Sequence, residues 1–577
     1  MAFSVGIDLG TTNTVVSTAR RGINSNIEVL TESIDQIVNE EWGDMESSTL
    51  LPSVLYVNNS LHNVGLIAKE MKGQTSNRVI FNSKNYMGES DYRWEIDDKE
   101  YTPELVASYF LSAVRKHLMQ KYKDEESINT AVITVPASFN IDQRNATTTA
   151  AKIAGFNGDI TLISEPTAAI LDFINEQSKI EDCDKFIDLK DFKNILVFDL
   201  GGGTCDVAVL KIKIKGKDIY VEEVAVSPHT LIGGANFDAY AVEGIIKDFE
   251  KENNISLAKE LDKEDMKKLK RMLVVYLEKA KIFFSGKYFQ YNDGNTDLKE
   301  VEKEISRLIG IPNVINGKPF KLNLTMERYN QYISSLLNKE SKENIIAPID
   351  ATLRSSNLCI DEIDYVFCVG GMTKYPAVWN TISQYFSKEP LKFTDSMESV
   401  SRGASIYHYY NIINIVNYKK IENDISVEEN TINEGNNVID ITSTLPQTIY
   451  LNVKNGFPIP LIEAKSKAGE PIIHEDLIKV SSEIGIALEL YAGSSIFDPD
   501  LKRLENVNLN FPVGVKVGSP VALKLEWTRK GILMFEAWIK DNPEIKINLT
   551  LEGNQILDEE IDEVKKEYGV AEVGGIM

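Results

Sequence analysis

The sequence predicts a two-lobed α/β fold followed by a smaller antiparallel β-sandwich. Three features carry that expectation. An apolar run, an aspartate, a glycine-containing turn and a second apolar run occur twice, at Val5–Val16 and again at Ile195–Leu210. Strand-like and helix-like segments alternate between Thr102 and Ser405, which implies helices packed on parallel strands. From Ile449 to Leu551 the texture changes to short strands of period two.

The repeated unit is clearest in its second copy. Ile195-Leu196-Val197-Phe198 reads as a strand buried on both faces; Asp199, the turn Gly201-Gly202-Gly203, Thr204, Asp206 and the run Val207–Leu210 follow. A glycine tip has no side chains in the way and can present successive backbone N–H groups to a phosphate. Asp199 and Asp206 suit a hydrated magnesium ion riding on that phosphate. The plain alternative is a tight hairpin with solvated aspartates. The first copy weighs against it: Asp8, Gly10, Thr11, Thr12 and Asn13 repeat the plan between two apolar runs. Two copies point to two related lobes, each offering one hairpin to a shared cleft. Neither copy is a GxxxxGK[ST] loop or a GxGxxG fingerprint.

Composition narrows the class. A chain of 577 residues with 43% hydrophobic and 26% charged residues is globular and holds several cores. A net charge of −24 without polybasic clusters argues against nucleic acid or an anionic membrane as partner. No run approaches a membrane span, and Met1-Ala2-Phe3 leads directly into the first strand, so a cytoplasmic location is expected. Cys183, Cys205, Cys359 and Cys368 have no metal-ligand spacing and are expected as reduced thiols.

Taken in order, Leu51–Val57 reads as a strand and Thr102–Lys121 as a capped, core-facing helix. Thr130–Val135 is a strand stopped by Pro136; Asp142–Ala154 is helical; Ile160–Ile163 is a strand running into Ser164-Glu165-Pro166, where Glu165 can simply cap the next helix. Glu176–Asn194 and Gly286–Phe320 read as surface excursions. Met266–Phe284, Thr325–Leu337 and Ile346–Leu358 are helical, and Tyr365–Val369 is a buried strand opening into Gly370-Gly371. Lys419–Asn437, rich in Glu, Asp and Asn, reads as linker. After Leu557 one short helix, Asp558–Tyr568, and a frayed glycine-containing tail are expected.

IDLGTTNT at Ile7–Thr14 and VFDLGGGTCDV at Val197–Val207 resemble the two phosphate loops of the actin, sugar-kinase and heat-shock ATPase superfamily. Within it the chain most resembles the DnaK-type heat-shock chaperones. TVPASFN (Thr134–Asn140), SEPTAAIL (Ser164–Leu171), IGGANFD (Ile232–Asp238), LEKAKIFFS (Leu277–Ser285) and FCVGGMTKYP (Phe367–Pro376) follow in that family's order. The resemblance implies an actin-like ATPase domain over 1–410, an acidic linker over 411–437, a β-sandwich resembling a peptide-binding domain over 438–553 and a short helix and tail over 554–577. The helical lid of the family cannot be built from so short a helix, which spans about 16 Å, so a lidless relative is expected.

The same resemblance assigns roles. Lys84 would reach the terminal phosphate and help place the attacking water, with Glu165 beside metal and water and Asp199 or Asp206 as proton acceptor. Asp8 and Asp199 would hold magnesium through water. Gly10, Thr11, Thr12, Asn13, Gly201, Gly202, Gly203, Thr204, Gly233 and Gly234 would line the phosphates. Glu278, Lys281, Ser285, Gly370, Gly371, Met372 and Lys374 would edge the nucleoside. Ile282, Met372 and Lys374 depart from the family's usual residues; loss of a stacked arginine at Ile282 would cost about 1 kcal/mol of nucleotide binding. Phe457, Ile459, Leu461 and Ile486 map near loops that hold an extended peptide, although a sandwich core also wants such residues. Only Val438 and Ile439 remain of the family's apolar linker, which would weaken coupling between domains.

The expected ligands are ATP or ADP and magnesium, with potassium as a candidate accompanying ion. Expected partners are unfolded or extended peptide segments, with a J-domain co-chaperone and a nucleotide exchange factor as candidates. Two rival readings stand beside ATP-driven chaperone action: a nucleotide-gated binder or scaffold with negligible hydrolysis, and a small-molecule kinase on the same fold.

Overall fold

The computed structural model describes residues 3–22, 27–39, 43–58, 61–72, 77–180, 187–216, 218–228, 230–291, 298–315, 317–392, 397–413, 439–445, 447–452, 457–482, 485–493, 495–497, 501–504, 507–511, 515–528, 533–550 and 558–576. Most of the acidic linker expected between the domains, residues 414–437, lies outside them.

Two sheets share one plan. In the first, β1 (Ser4–Leu9) and β2 (Asn13–Arg21) form a hairpin, β3 (Ile27–Thr31) extends it antiparallel, and β4 (Ala131–Val135) and β5 (Ile160–Ser164) add parallel strands beyond β1. In the second, β6 (Lys193–Leu200) and β7 (Cys205–Lys215) form the hairpin, β8 (Asp218–Val226) extends it, and β9 (Tyr365–Val369) and β10 (Leu391–Lys392) add the parallel strands. The orders β5-β4-β1-β2-β3 and β10-β9-β6-β7-β8 match strand for strand. β6 explains its own composition: Ile195 and Val197 enter a core shared with the first unit, while Leu196, Phe198 and Leu200 enter the core of the second. A strand covered on both faces reads as a continuous apolar run.

Eight helices position the parts discussed below. They are α1 (Leu66–Met71), α2 (Pro103–Tyr122), α3 (Ile141–Ile153), α4 (Glu165–Gln177), α5 (Gly234–Asn253), α6 (Lys263–Tyr291), α7 (Ser399–His408) and α8 (Asp558–Glu567). Thr102 caps α2, Asn140 and Gln143 close a capping box on α3, and Ser164 caps α4, so three helix starts are encoded locally. α7 packs closely because its residues are small: Ser4 Oγ donates to Ser405 O at 2.7 Å, and the Ser17 and Ser401 hydroxyls meet at 2.8 Å. Arg402 on α7 ties it to the buried Asp172 of α4 at 2.8 Å.

Among the described residues of 448–550 the strands pair only antiparallel. One sheet runs Ile459–Ile462, Thr448–Leu451, Leu490–Gly493, Lys502–Arg503; another runs Ile472–Lys479, Pro520–Trp527, Leu533–Ile539, Asn542–Thr550. Leu451, Leu461, Ile486, Leu523, Trp527 and Phe535 share their core, and Ile141 of α3 enters it from the first unit.

Three sequence expectations change. The segment expected as a surface excursion at Gly286–Phe320 is the end of α6, a short helix and most of a hairpin, Ser306–Ile315 with Lys318–Thr325. Ile309, Ile311, Phe320, Leu322 and Leu324 are buried there, an alternation interrupted by Gly310, Pro312 and Asn313. The strand expected at Leu51–Val57 is two short pieces, Leu51–Pro52 and Val54–Tyr56. The frayed tail is not frayed: Ile561, Val570, Val573 and Ile576 are buried in the core of the first α/β unit.

Ile439–Thr442, here β11, pairs parallel with β8, Ile439 against Ile219, and Ile439 is buried. Asn411 Nδ2 donates to Ile439 O at 2.6 Å. Of the short apolar remnant, Ile439 is docked by backbone pairing, which does not depend on leucine content, and Val438 lies outside the described residues.

Candidate active site

The two hairpin tips meet. A methyl group built on Gly202 would lie 1.9 Å from Thr12 Oγ1, so only glycine lets the second tip approach the first. The second tip is braced from behind: Gly201 N donates to Thr204 O at 3.0 Å, and Gly234 N and Ala235 N at the head of α5 donate to Gly201 O and Gly202 O at 3.0 and 2.8 Å. Gly370 packs on the same aspartate that ends β6, since a methyl there would lie 2.5 Å from Asp199 Oδ1.

Around this junction the sheets deliver four carboxylates and one ammonium. Asp8 ends β1 opposite Thr134 of β4, whose Oγ1 donates to Asp8 Oδ1 at 3.3 Å. Asp199 and Asp206 face each other across the second hairpin, and Ser138 Oγ donates to Asp206 Oδ1 at 2.6 Å. Glu165 starts α4, and Lys84, on the short turn Ser83–Tyr86, is ion-paired with it. Lys84 and Glu165 are 8% and 7% exposed, so neither charge is shared with bulk water.

The electrostatics follow from that imbalance. Burial and the Glu165 charge lift the Asp8 carboxyl to about 7, against the pull of Lys84 and the Thr134 hydrogen bond. Burial, then Glu165, Asp206 and Asp8, push Asp199 well above the usual carboxylate range. Burial raises Glu165 and Asp206 as well, opposed by Lys84 in both. Burial works to lower the Lys84 ammonium, but the charges of Glu165 and Asp8 outweigh it and hold its pKa up. The group is short of positive charge.

The residues expected to edge the nucleoside sit on α6 and around the Gly370 turn. Lys281 on α6 pairs with Asp238 at 2.8 Å and donates to Gly234 O at 3.3 Å, so it closes the head of α5. Glu278 instead reaches Lys69 of α1 at 3.3 Å, spanning from one α/β unit to the other. Ser285 is half-buried, Met372 is buried in the second unit's core, and Gly371 and Lys374 are exposed. Ile282 is 68% exposed. Of the four candidate peptide contacts, Leu461 and Ile486 are buried in the β-region core and Ile459 is half-buried; Phe457 is 74% exposed, with its ring 6.4 Å from that of Phe497. Two of the four therefore serve packing.

Thr134 and Ser138, inside TVPASFN, each hold a site carboxylate, a task the motif alone does not disclose. Hydroxyl residues at the end of a buried strand, beside a proline stop, are the available signal. The motif does not disclose Arg144 either. That buried guanidinium on α3 donates from Nε to Phe139 O at 3.1 Å and lies 5.6 Å from the Trp527 ring, which connects the Ser138 loop to the β region. Nothing local in α3 announces so distant a partner.

Comparison with known proteins agrees with this geometry. A family model described as Hsp70 protein matches residues 4–409. The chain belongs to the Hsp70 family. Over 466 residues it is 32% identical to "Chaperone protein DnaK" of Thermosipho melanesiensis, covering 80% of this chain and 66% of that relative. It is 31% identical over 466 residues to the protein of the same description from Thermotoga neapolitana, and equally so to that from Thermotoga maritima, covering 81% of this chain and 66% of each relative. The match thus spans just under two thirds of these relatives' own length.

Proposed function

We propose that the chain is a magnesium-dependent ATPase whose two lobes grip nucleotide between the Asp8 and Asp199 hairpins and whose β-sandwich holds extended peptide. The observation that carries this reading is the contact of two like hairpin tips beside four carboxylates with one lysine. The residues fit the ligands. Side-chain-free tips suit phosphate oxygens, and the deficit of positive charge suits a divalent cation. Among the described residues no three His, Cys, Asp or Glu side chains converge to ligate a metal directly; Asp8 and Asp199 would hold magnesium through water, as that ion prefers.

Bound magnesium and ATP would supply a polarised γ-phosphoryl group for in-line attack by water. The protein's part is positioning and electrostatics. Gly10–Asn13 and Gly201–Thr204 offer backbone N–H groups and hydroxyls. Lys84, fixed by Glu165, aims its ammonium toward the phosphate position, and Glu165 orients water. Asp206 Oδ1 accepts from Ser138 and the same carboxyl is hydrogen-bonded by Thr204, which orient it as a proton acceptor; Asp199 is the alternative acceptor. Arg144 on Trp527 and β11 on β8 support transmission from the cleft to the sandwich. A kinase reading finds little support, because it would leave the antiparallel β region at 448–550 without a task. Exposed Ile282 favours the nucleotide-gated binder as the second reading, through a weak base-side grip.

Protons compete with the cation at Asp8. Its carboxyl, raised to about 7, is mostly protonated at pH 6 and mostly ionised at pH 8. Affinity for magnesium-ATP should therefore rise with pH across that window, by up to about tenfold per unit below the pKa, with proton release on binding. Calorimetry at both pH values, in buffers of different ionisation heat, tests the reading. Affinity that is flat or falls with pH would remove Asp8 from the metal site, and no binding at either pH would remove the function.

A further inference from the structure

The geometry points to Asp558–Ile576 as a built-in regulatory strap that holds α1, and with it the lip of the nucleotide cleft, in the closed position. This rests on the cleft reading above and adds a control element to it. The strap crosses α2 and then threads between two strands of the first unit. Ser112 Oγ donates to Val570 O at 2.8 Å and Lys116 Nζ to Val573 O at 3.3 Å. Gly574 N donates to His62 O at 2.8 Å, Val64 N to Gly574 O at 3.1 Å, and Ile37 N to Gly575 O at 2.9 Å. The last residues thus pair with Ile34–Asn39 on one side and with Asn63–Val64 on the other.

Those two strands carry α1. Asn63–Val64 runs through Gly65 directly into it, and the buried Gln36 accepts the Leu66 N–H at 3.1 Å. Gly575 has φ +87°, and a methyl there would lie 2.2 Å from Val64 O and 3.2 Å from Ile67 of α1. Ile561, Val570, Val573 and Ile576 are buried against the same core. From α1, Lys69 reaches across to Glu278 on α6. One continuous set of contacts therefore runs from the strap to the contact between the two units. Released from the strap, α1 loses its support, the lip opens and nucleotide leaves faster.

Ile576→Asp places a charge in the strap's buried anchor, and Gly575→Val cannot adopt the strap's backbone or fit beneath α1; Ile576→Ala gives a graded version if either fails to fold. Hydrogen exchange at the Ile37 and Val64 amides reports strap docking, and stopped-flow release of a fluorescent ADP analogue reports the lip. The expected result is loss of protection at both amides together with release about tenfold faster, within the range of coupled sites. Lys69→Ala should speed release in the parent chain and add little in a strap variant, because both act through α1. Lost protection with unchanged release overturns the proposal, and so does protection that survives all three substitutions. A parent chain that binds no nucleotide overturns the cleft reading and this proposal together, whereas bound nucleotide with unchanged release overturns this proposal alone.

Discussion

Replacing Lys84 by alanine should lower single-turnover ATP hydrolysis about 10²–10⁴-fold, the range for loss of a positioned group acting on proton transfer or developing charge. Nucleotide binding should survive, because on the proposed reading the hairpin tips would hold phosphate through backbone groups that the substitution leaves in place. A second effect accompanies the first. Lys84 is the buried partner of Glu165, and breaking a buried ion pair by removing one side costs about 3–5 kcal/mol of stability. The melting temperature should therefore fall as well. Adding Glu165→Gln removes the orphaned charge and should restore much of the stability without restoring turnover, which separates the chemical role from the structural one. A Lys84→Ala chain that hydrolyses ATP at the parent rate would take Lys84 out of the mechanism.

Ile439→Asp should disconnect the β region from the nucleotide cleft. Ile439 is 2% exposed in β11, and burying an unpaired carboxylate there costs several kcal/mol. Coupling between sites is typically only about 1–3 kcal/mol, so the substitution exceeds the whole signal it would have to carry. The expected outcome is a parent chain whose release of a fluorescent peptide differs between ATP and ADP, and a variant whose two rates coincide. A variant that keeps the parent's difference would mean that coupling bypasses β11, with Arg144 on Trp527 as the remaining route.

Much of this arrangement is legible before any coordinates. The duplicated hairpin announces two like sheets because a strand covered on both faces must be apolar throughout and a tip that approaches phosphate or its twin must be glycine. Asp8, Lys84, Glu165, Asp199 and Asp206 are brought to one place, as their motifs suggest. What escapes is non-local. Gly574 and Gly575 look like fraying because they carry no side chain to signal burial, yet side-chain-free residues are what fits between Ile34–Asn39 and Asn63–Val64. The hairpin at Ser306–Thr325 hides because Gly310, Pro312 and Asn313 interrupt its alternation. Leu461 and Ile486 look alike whether they line a groove or fill a core, and packing across the β region decides for the core. The docking of β11 escapes as well, because strand pairing draws on the backbone, which composition does not record.

On the reading proposed above, the four carboxylates and Lys84 form an ATP-hydrolysing cleft coupled to a peptide-binding β region. Single-turnover hydrolysis of magnesium-ATP, measured with and without an extended apolar peptide, tests it most directly. The account predicts a measurable rate in the parent chain, its loss in Lys84→Ala, and a change in the parent rate when peptide is present. Tight ATP binding with no hydrolysis above the Lys84→Ala background, peptide or not, would contradict it and leave a nucleotide-gated binder in its place.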